Sequence, residues 1–172
     1  MDFRYPIGKY QPQDYSESQK DEWLADIKFL PNAIEAAVAQ LDEQQLHTPY
    51  RDGGWTVHQL VHHVADSHMN AYIRFKLAYT EDAPVIKTYE EKLWADTADV
   101  RNLPINISIT LLYALHSRWH EFLVSFSRED YDREIVHPEW GRQTLWFLLG
   151  MYAWHSRHHV AHIKALRERM TW

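Results

Sequence analysis

Apolar residues recur every three or four positions in four separate stretches of this 172-residue chain. Trp23, Ile27, Leu30, Ile34, Val38 and Leu41 form the first such stripe, beginning near Glu17. That spacing puts side chains on one face of an α-helix and is incompatible with the two-residue alternation of a half-buried strand. Pro31 falls inside the stripe and is expected to kink or split the helix, because it lacks an N–H and crowds the preceding turn. With only 5 glycines in the whole chain, long helices are favoured over many short strands and turns.

The other three helices carry their own boundary signals. Thr56, followed three residues later by Gln59, forms a capping box, so a second helix should run from there to about Tyr79. Residues 47–54 contain Pro49, Gly53 and Gly54 and read as a loop. Residues 85–104 read as a long connection with one short helix around Tyr89–Ala95. A third helix is expected from about Asn106 to Phe126, with Ile109, Leu112, Leu115, Trp119, Phe122 and Phe126 along it. Residues 127–142 read as a polar loop. Thr144 caps a fourth helix that ends near Met170. Four long helices in this length imply an all-α four-helix bundle. The chain is read as a single domain, residues 1–172, with residues 1–15 as an extended arm laid over the body.

Composition narrows the function classes. The formal charge of −6 is opposite to the basic stripe of a nucleic-acid-binding surface. No apolar run approaches the roughly 20 residues of a membrane span, and Met1 to Pro6 contain no signal segment, so a cytoplasmic location is expected. With 0 cysteines, disulfides, zinc–thiolate sites and a cysteine nucleophile are all excluded.

Histidine is what the chain has instead. Two clusters stand out, His62, His63 and His68 on the second helix and His155, His158, His159 and His162 on the fourth. On the fourth helix Leu145, Leu148, Tyr152, His155, His159, His162 and Leu166 make one continuous seam, which leaves His158 outside. On the second, Leu60, His63, Ser67, Asn70, Arg74 and Leu77 make another, with His62 turned away. Seam counting therefore brings His63, His155 and His159 towards one point in the bundle. Three imidazoles with an open fourth position suit zinc, nickel, iron(II) or a similar divalent ion. His162 is a fourth candidate; as a ligand it would close the site. Asp66 and Asn70 are candidate supporting residues for ligands or substrate, and Arg74 a candidate contact for an anionic group. His62, His68, His116, His120 and His158 are given no role.

At these residues the chain resembles the DinB-like superfamily, and within it the YfiT branch. The resemblance is carried by Tyr5 to Gly8, Thr48 to Val57, Val61 to Lys76 and Trp154 to Ile163. It implies an up-down-down-up four-helix bundle, usually a homodimer, with one divalent metal per subunit held by one histidine of the second helix and an H-x-x-x-H pair of the fourth. By motif position these are again His63, His155 and His159. The implied activity is that of a metal-dependent hydrolase, with the metal activating water for attack on an electrophilic small molecule. Related proteins imply an alternative, transfer of a low-molecular-weight thiol such as bacillithiol. A third reading, from another class, is a non-catalytic metal-binding stress-response bundle.

Overall fold

The computed structural model describes residues 3–172; residues 1 and 2 of the expected arm lie outside the described residues. Four long helices form the body: α1 (Glu17–Val38), α3 (Val57–Thr80), α6 (Ile105–Val124) and α7 (Leu145–Met170). Three short ones lie between them: α2 (Glu43–Leu46), α4 (Glu91–Trp94) and α5 (Ala98–Asn102). The bundle thus has more discrete helices than the four long stripes announce. α2 begins with a capping box of Asp42 and Gln45, a start signal the apolar stripes do not reveal.

Side-chain contacts give the helix directions. His62 meets Ser108, His68 meets His116 and Phe75 meets Trp119, so α3 and α6 run parallel. Trp23 packs on Trp146, Asp26 pairs with Arg157 and Arg167 donates to the Ala37 carbonyl, so α1 and α7 also run parallel. Arg74 reaches Tyr152 while His63 sits beside His159, which makes α3 antiparallel to α7. The result is an up-down-down-up bundle. The parallel α3–α6 pair requires the long connection at 81–104, since a short loop can join only antiparallel neighbours.

Caps set the ends of α3 and α7. Thr56 and Gln59 form the reciprocal capping box at the start of α3, and Thr144 accepts from the Phe147 N–H at the start of α7. Pro31 does not split α1, which runs through it unbroken to Val38, with Leu41 beyond its end. The carbonyl that a mid-helix proline strands belongs to Ile27, four residues earlier. His116 Nδ1 lies 2.5 Å from that oxygen and satisfies it.

Residues 127–142 are more than a polar loop. They hold a 3₁₀ turn (Glu129–Asp132) and the hairpin strand β1 (Glu134–His137), which pairs antiparallel with β2 (Gly141–Thr144). Gly141, at φ +70°, takes the left-handed conformation at the tip of this hairpin, where a side chain would be strained. β1 is anchored further by hydrogen bonds between Val136 and the Pro84–Ile86 segment.

The core falls into two apolar clusters. One gathers Trp23, Ile27, Phe75, Trp119, Tyr131 and Leu148; the other gathers Leu30, Ile34, Leu60, Val64, Leu112 and Ile163. Between them each long helix changes from one cluster to the other, and there His68, His116, His155 and His159 are placed. The described part of the arm runs along α7: the Trp146 and Trp154 indoles donate to the carbonyls of Gln13 and Gly8 at 2.7 and 3.1 Å.

Candidate metal centre

His63 on α3 and the pair His155 and His159 on α7 converge in that layer. One ring nitrogen from each lies within 4.8 Å of the other two, the sole such group of three potential ligands among the described residues. His155 Nε2 and His159 Nε2 are 3.0 Å apart. Nitrogens bound at about 2.0–2.1 Å to one tetrahedral ion would be about 3.4 Å apart, so a shift of tenths of an ångström along α7 suffices there. The ring centroids of His63 lie 5.6 and 5.1 Å from those of His155 and His159, and the Trp55 indole packs on its other side at 4.4 Å.

Burial holds all three rings in the neutral form that offers a lone pair. It pushes His63 down to about 4 and His155 and His159 well below the usual imidazole range; neighbouring imidazoles lower the latter two further. Three neutral imidazoles on two packed helices fit a borderline divalent cation in donor type, count and spacing. His159 Nδ1 is buried without a partner, an unsatisfied nitrogen in a place the fold would otherwise fill with apolar atoms.

A cavity of about 550 Å³ opens beside His155. Ser67, Arg74, Tyr89, Glu91, Tyr152 and Trp154 line it, together with the β-hairpin residues His137 and Trp140. The Arg74 guanidinium donates to the Tyr152 hydroxyl at 3.0 Å and to the Lys87 carbonyl at 3.1 Å, which fixes its orientation at the cavity wall. Burial raises the Tyr152 hydroxyl above the ordinary phenol range and keeps it neutral.

The remaining histidines and polar candidates have separate environments. The His162 Nε2 lies 2.9 Å from His158 Nε2, and its ring packs 4.2 Å from that of Tyr50. It is not among the three converging nitrogens. His158, which falls outside the apolar seam, is nonetheless buried, covered by Trp154 and by Tyr5 of the arm. His62 turns from the seam into another buried contact, with Ser108 Oγ at 2.7 Å and the Leu103 carbonyl at 3.1 Å. Asn70 donates its amide to the Asp66 carbonyl at 2.9 Å, a contact within its own helix. Asp66 is half-buried; desolvation, then Asp99, raises its carboxyl to about 6.

His68 lies on α3 outside the seam of His63, Ser67 and Asn70. It is fully buried, with His116 on one side and His155 on the other, both at 3.0 Å. Its signal is a second stripe, Val61, Val64, His68, Ala71, Phe75 and Ala78, stepping by three and four and buried throughout, with His68 and Phe75 meeting His116 and Trp119 of α6.

The bundle thus carries an inward-facing three-histidine cluster, one ring of which borders a cavity, and the comparisons with known proteins give the class of protein to which its fold belongs. The DinB superfamily pattern matches residues 26–163. A protein of Bacillus cereus (strain ATCC 10987 / NRS 248), called "Putative metal-dependent hydrolase", is 50% identical over 172 residues and 99% of each chain. A protein of the same name in Bacillus anthracis (strain CDC 684 / NRRL 3495) is 49% identical over the same share. The solved structure of YfiT from Bacillus subtilis, described as a probable metal-dependent hydrolase with an unusual four-helix bundle topology, superposes with a TM-score of 0.96. It is 45% identical and covers 100% of this chain and 99% of its own. The chain belongs to the DinB superfamily, in its YfiT branch.

Proposed function

We propose that this chain is a metal-dependent hydrolase in which His63, His155 and His159 hold one divalent cation, zinc or nickel. The observation that carries the reading is the convergence of three neutral imidazole nitrogens, one of them on a ring that lines a cavity of substrate size. When bound, such a cation supplies a Lewis acid that lowers the pKa of water and polarises an electrophile. The names of the relatives point the same way.

The protein's own residues then divide the work. His155 presents the site to the cavity, while His63 and His159 hold it from the dry side. Arg74, braced by Tyr152 and Lys87, offers its guanidinium to an anionic group of the substrate. Trp154 and Tyr89 supply apolar walls that exclude water from the remainder of the ligand. His162 is turned to His158, which supports an open coordination position over a closed, structural site.

Activated esters offered to the metal-loaded protein, with and without a low-molecular-weight thiol, test the reading. Turnover without thiol that is lost in His155→Ala supports hydrolysis. Turnover that strictly requires the thiol replaces hydrolysis with S-transfer at the same site. Turnover unaffected by His155→Ala removes the triad from the chemistry.

A further inference from the structure

Pro31, His116, His68 and His155 lie on α1, α6, α3 and α7, and a single run of hydrogen bonds links the four long helices through them. Pro31 leaves the buried Ile27 carbonyl without a helical donor. His116 Nδ1 meets that oxygen at 2.5 Å, His116 Nε2 meets His68 Nδ1 at 3.0 Å, and His68 Nε2 meets His155 Nδ1 at 3.0 Å. His155 Nε2 is left facing His159 Nε2 at 3.0 Å, within the triad.

We infer that His116 and His68 are positioning residues for His155, and that the Ile27 carbonyl freed by Pro31 fixes which nitrogen of all three rings carries the proton. A carbonyl only accepts, so His116 Nδ1 must be the donor at that end. A neutral imidazole has one N–H, so His116 Nε2 must accept from His68 Nδ1. The same rule makes His68 Nε2 accept from His155 Nδ1. The His155 proton is thereby held on Nδ1, and the Nε2 lone pair points where a cation is wanted.

The reverse sense is closed off. It would set the His116 Nδ1 lone pair against the Ile27 oxygen at 2.5 Å, too close for anything to lie between them. Burial lowers His116 to about 4 and His68 well below the usual range, in keeping with neutral rings. A metal-ligating histidine whose second nitrogen donates to a fixed acceptor is held in both tautomer and ring orientation. Here the fixed acceptor lies two imidazoles away. His159 has no such support, since its Nδ1 is buried without a partner. Positioning therefore falls on His155, the ring that also reaches the cavity.

The consequence at His155 Nε2 rests on the triad reading above, but the direction of the hydrogen bonds does not. Long-range ¹H–¹⁵N correlation spectra of the metal-free protein test that direction first. The expected result is a protonated Nδ1 and a bare Nε2 on His116, His68 and His155. A protonated Nε2 on any of the three overturns the inference, whatever the protein binds.

Cobalt(II) titration followed by its visible absorption tests the consequence. His116→Gln keeps an amide N–H for Ile27 and an oxygen for His68, so its affinity should stay within about threefold of the unaltered chain. His116→Phe keeps neither and should bind about tenfold or more weakly, the range for loss of an outer hydrogen bond to a ligand. Equal affinity in the two variants, both folded by circular dichroism, contradicts positioning. If His116→Phe does not fold, loss of affinity in His116→Gln despite retained structure contradicts it instead. Cobalt binding undiminished in His155→Ala would sink the triad reading alone and leave the tautomer result standing.

Discussion

The Trp23 indole lies against Gly150 so closely that a methyl group on the glycine would overlap the ring edge, and would also meet the Tyr10 hydroxyl. This is where α1, α7 and the arm come together. Alanine is the better helix former, by about 1 kcal/mol. Gly150→Ala is nonetheless expected to lose about 1–3 kcal/mol through overpacking, measured by urea denaturation. A stability gain would mean that the three segments are not packed as described.

The capping box of α3 gives a second expectation. Thr56 accepts from the Gln59 N–H, and the Gln59 side chain returns a bond to the Thr56 N–H at 3.1 Å. Thr56→Ala should cost about 1 kcal/mol of stability. Metal stoichiometry should not change, because His63 lies on the second turn of the helix and is held by packing against Trp55 and α7.

The buried histidines make the metal-free protein sensitive to acid. His63 and His116 are lowered by burial to about 4, and His68, His155 and His159 lie well below 6.5. Between those values and 6.5 the unfolded chain binds more protons than the folded one, so stability rises with pH through that window and falls on acidification. Each such ring contributes up to about 1.4 kcal/mol per pH unit. Asp26 and Asp66, raised to about 6, and Glu91, also raised by burial, act in the opposite sense but are fewer than the buried rings. Urea midpoints should therefore drop steeply from pH 6.5 to 4.5. A flat profile would show that these rings are not buried neutral.

Arg74 should govern the choice among substrates rather than the chemistry. Its hydrogen bonds to Tyr152 and Lys87 hold it at the cavity wall, and it is not among the three converging ligands. Arg74→Gln is expected to raise KM for an anionic ester by about tenfold or more, the cost of one charge-assisted contact, and to leave neutral esters nearly unaffected. Equal loss on both kinds of substrate would assign Arg74 to the fold instead.

Much of this architecture is legible in the sequence, for identifiable reasons. Thr56 and Thr144 mark helix starts because a side-chain oxygen before an apolar stripe has one good use. His63, His155 and His159 stand out because they sit where seam counting expects leucine, and the fold does bring them together. His68 lies off the seam of Leu60, His63 and Ser67 because α3 is buried on two faces, and that seam follows only one of them. The burial of His158 depends on Tyr5, an arm residue more than a hundred positions away, and no local pattern carries that. The hairpin inside the expected loop at 127–142 escapes the sequence because each strand has four residues, too few for alternation to show. The partner of the Ile27 carbonyl that Pro31 leaves free is His116, from another helix, which the local pattern of α1 does not carry. Local signals thus located the helices and their seams, while contacts between distant segments decided what the polar side chains do.

Metal content after exhaustive dialysis tests the central claim most directly. The unaltered protein should retain one zinc or nickel ion per chain by elemental analysis. His63→Ala, His155→Ala and His159→Ala, each confirmed to be folded, should retain less than a tenth of that, while His162→Ala should stay near one. Stoichiometric metal in any of the three triad variants would contradict the account.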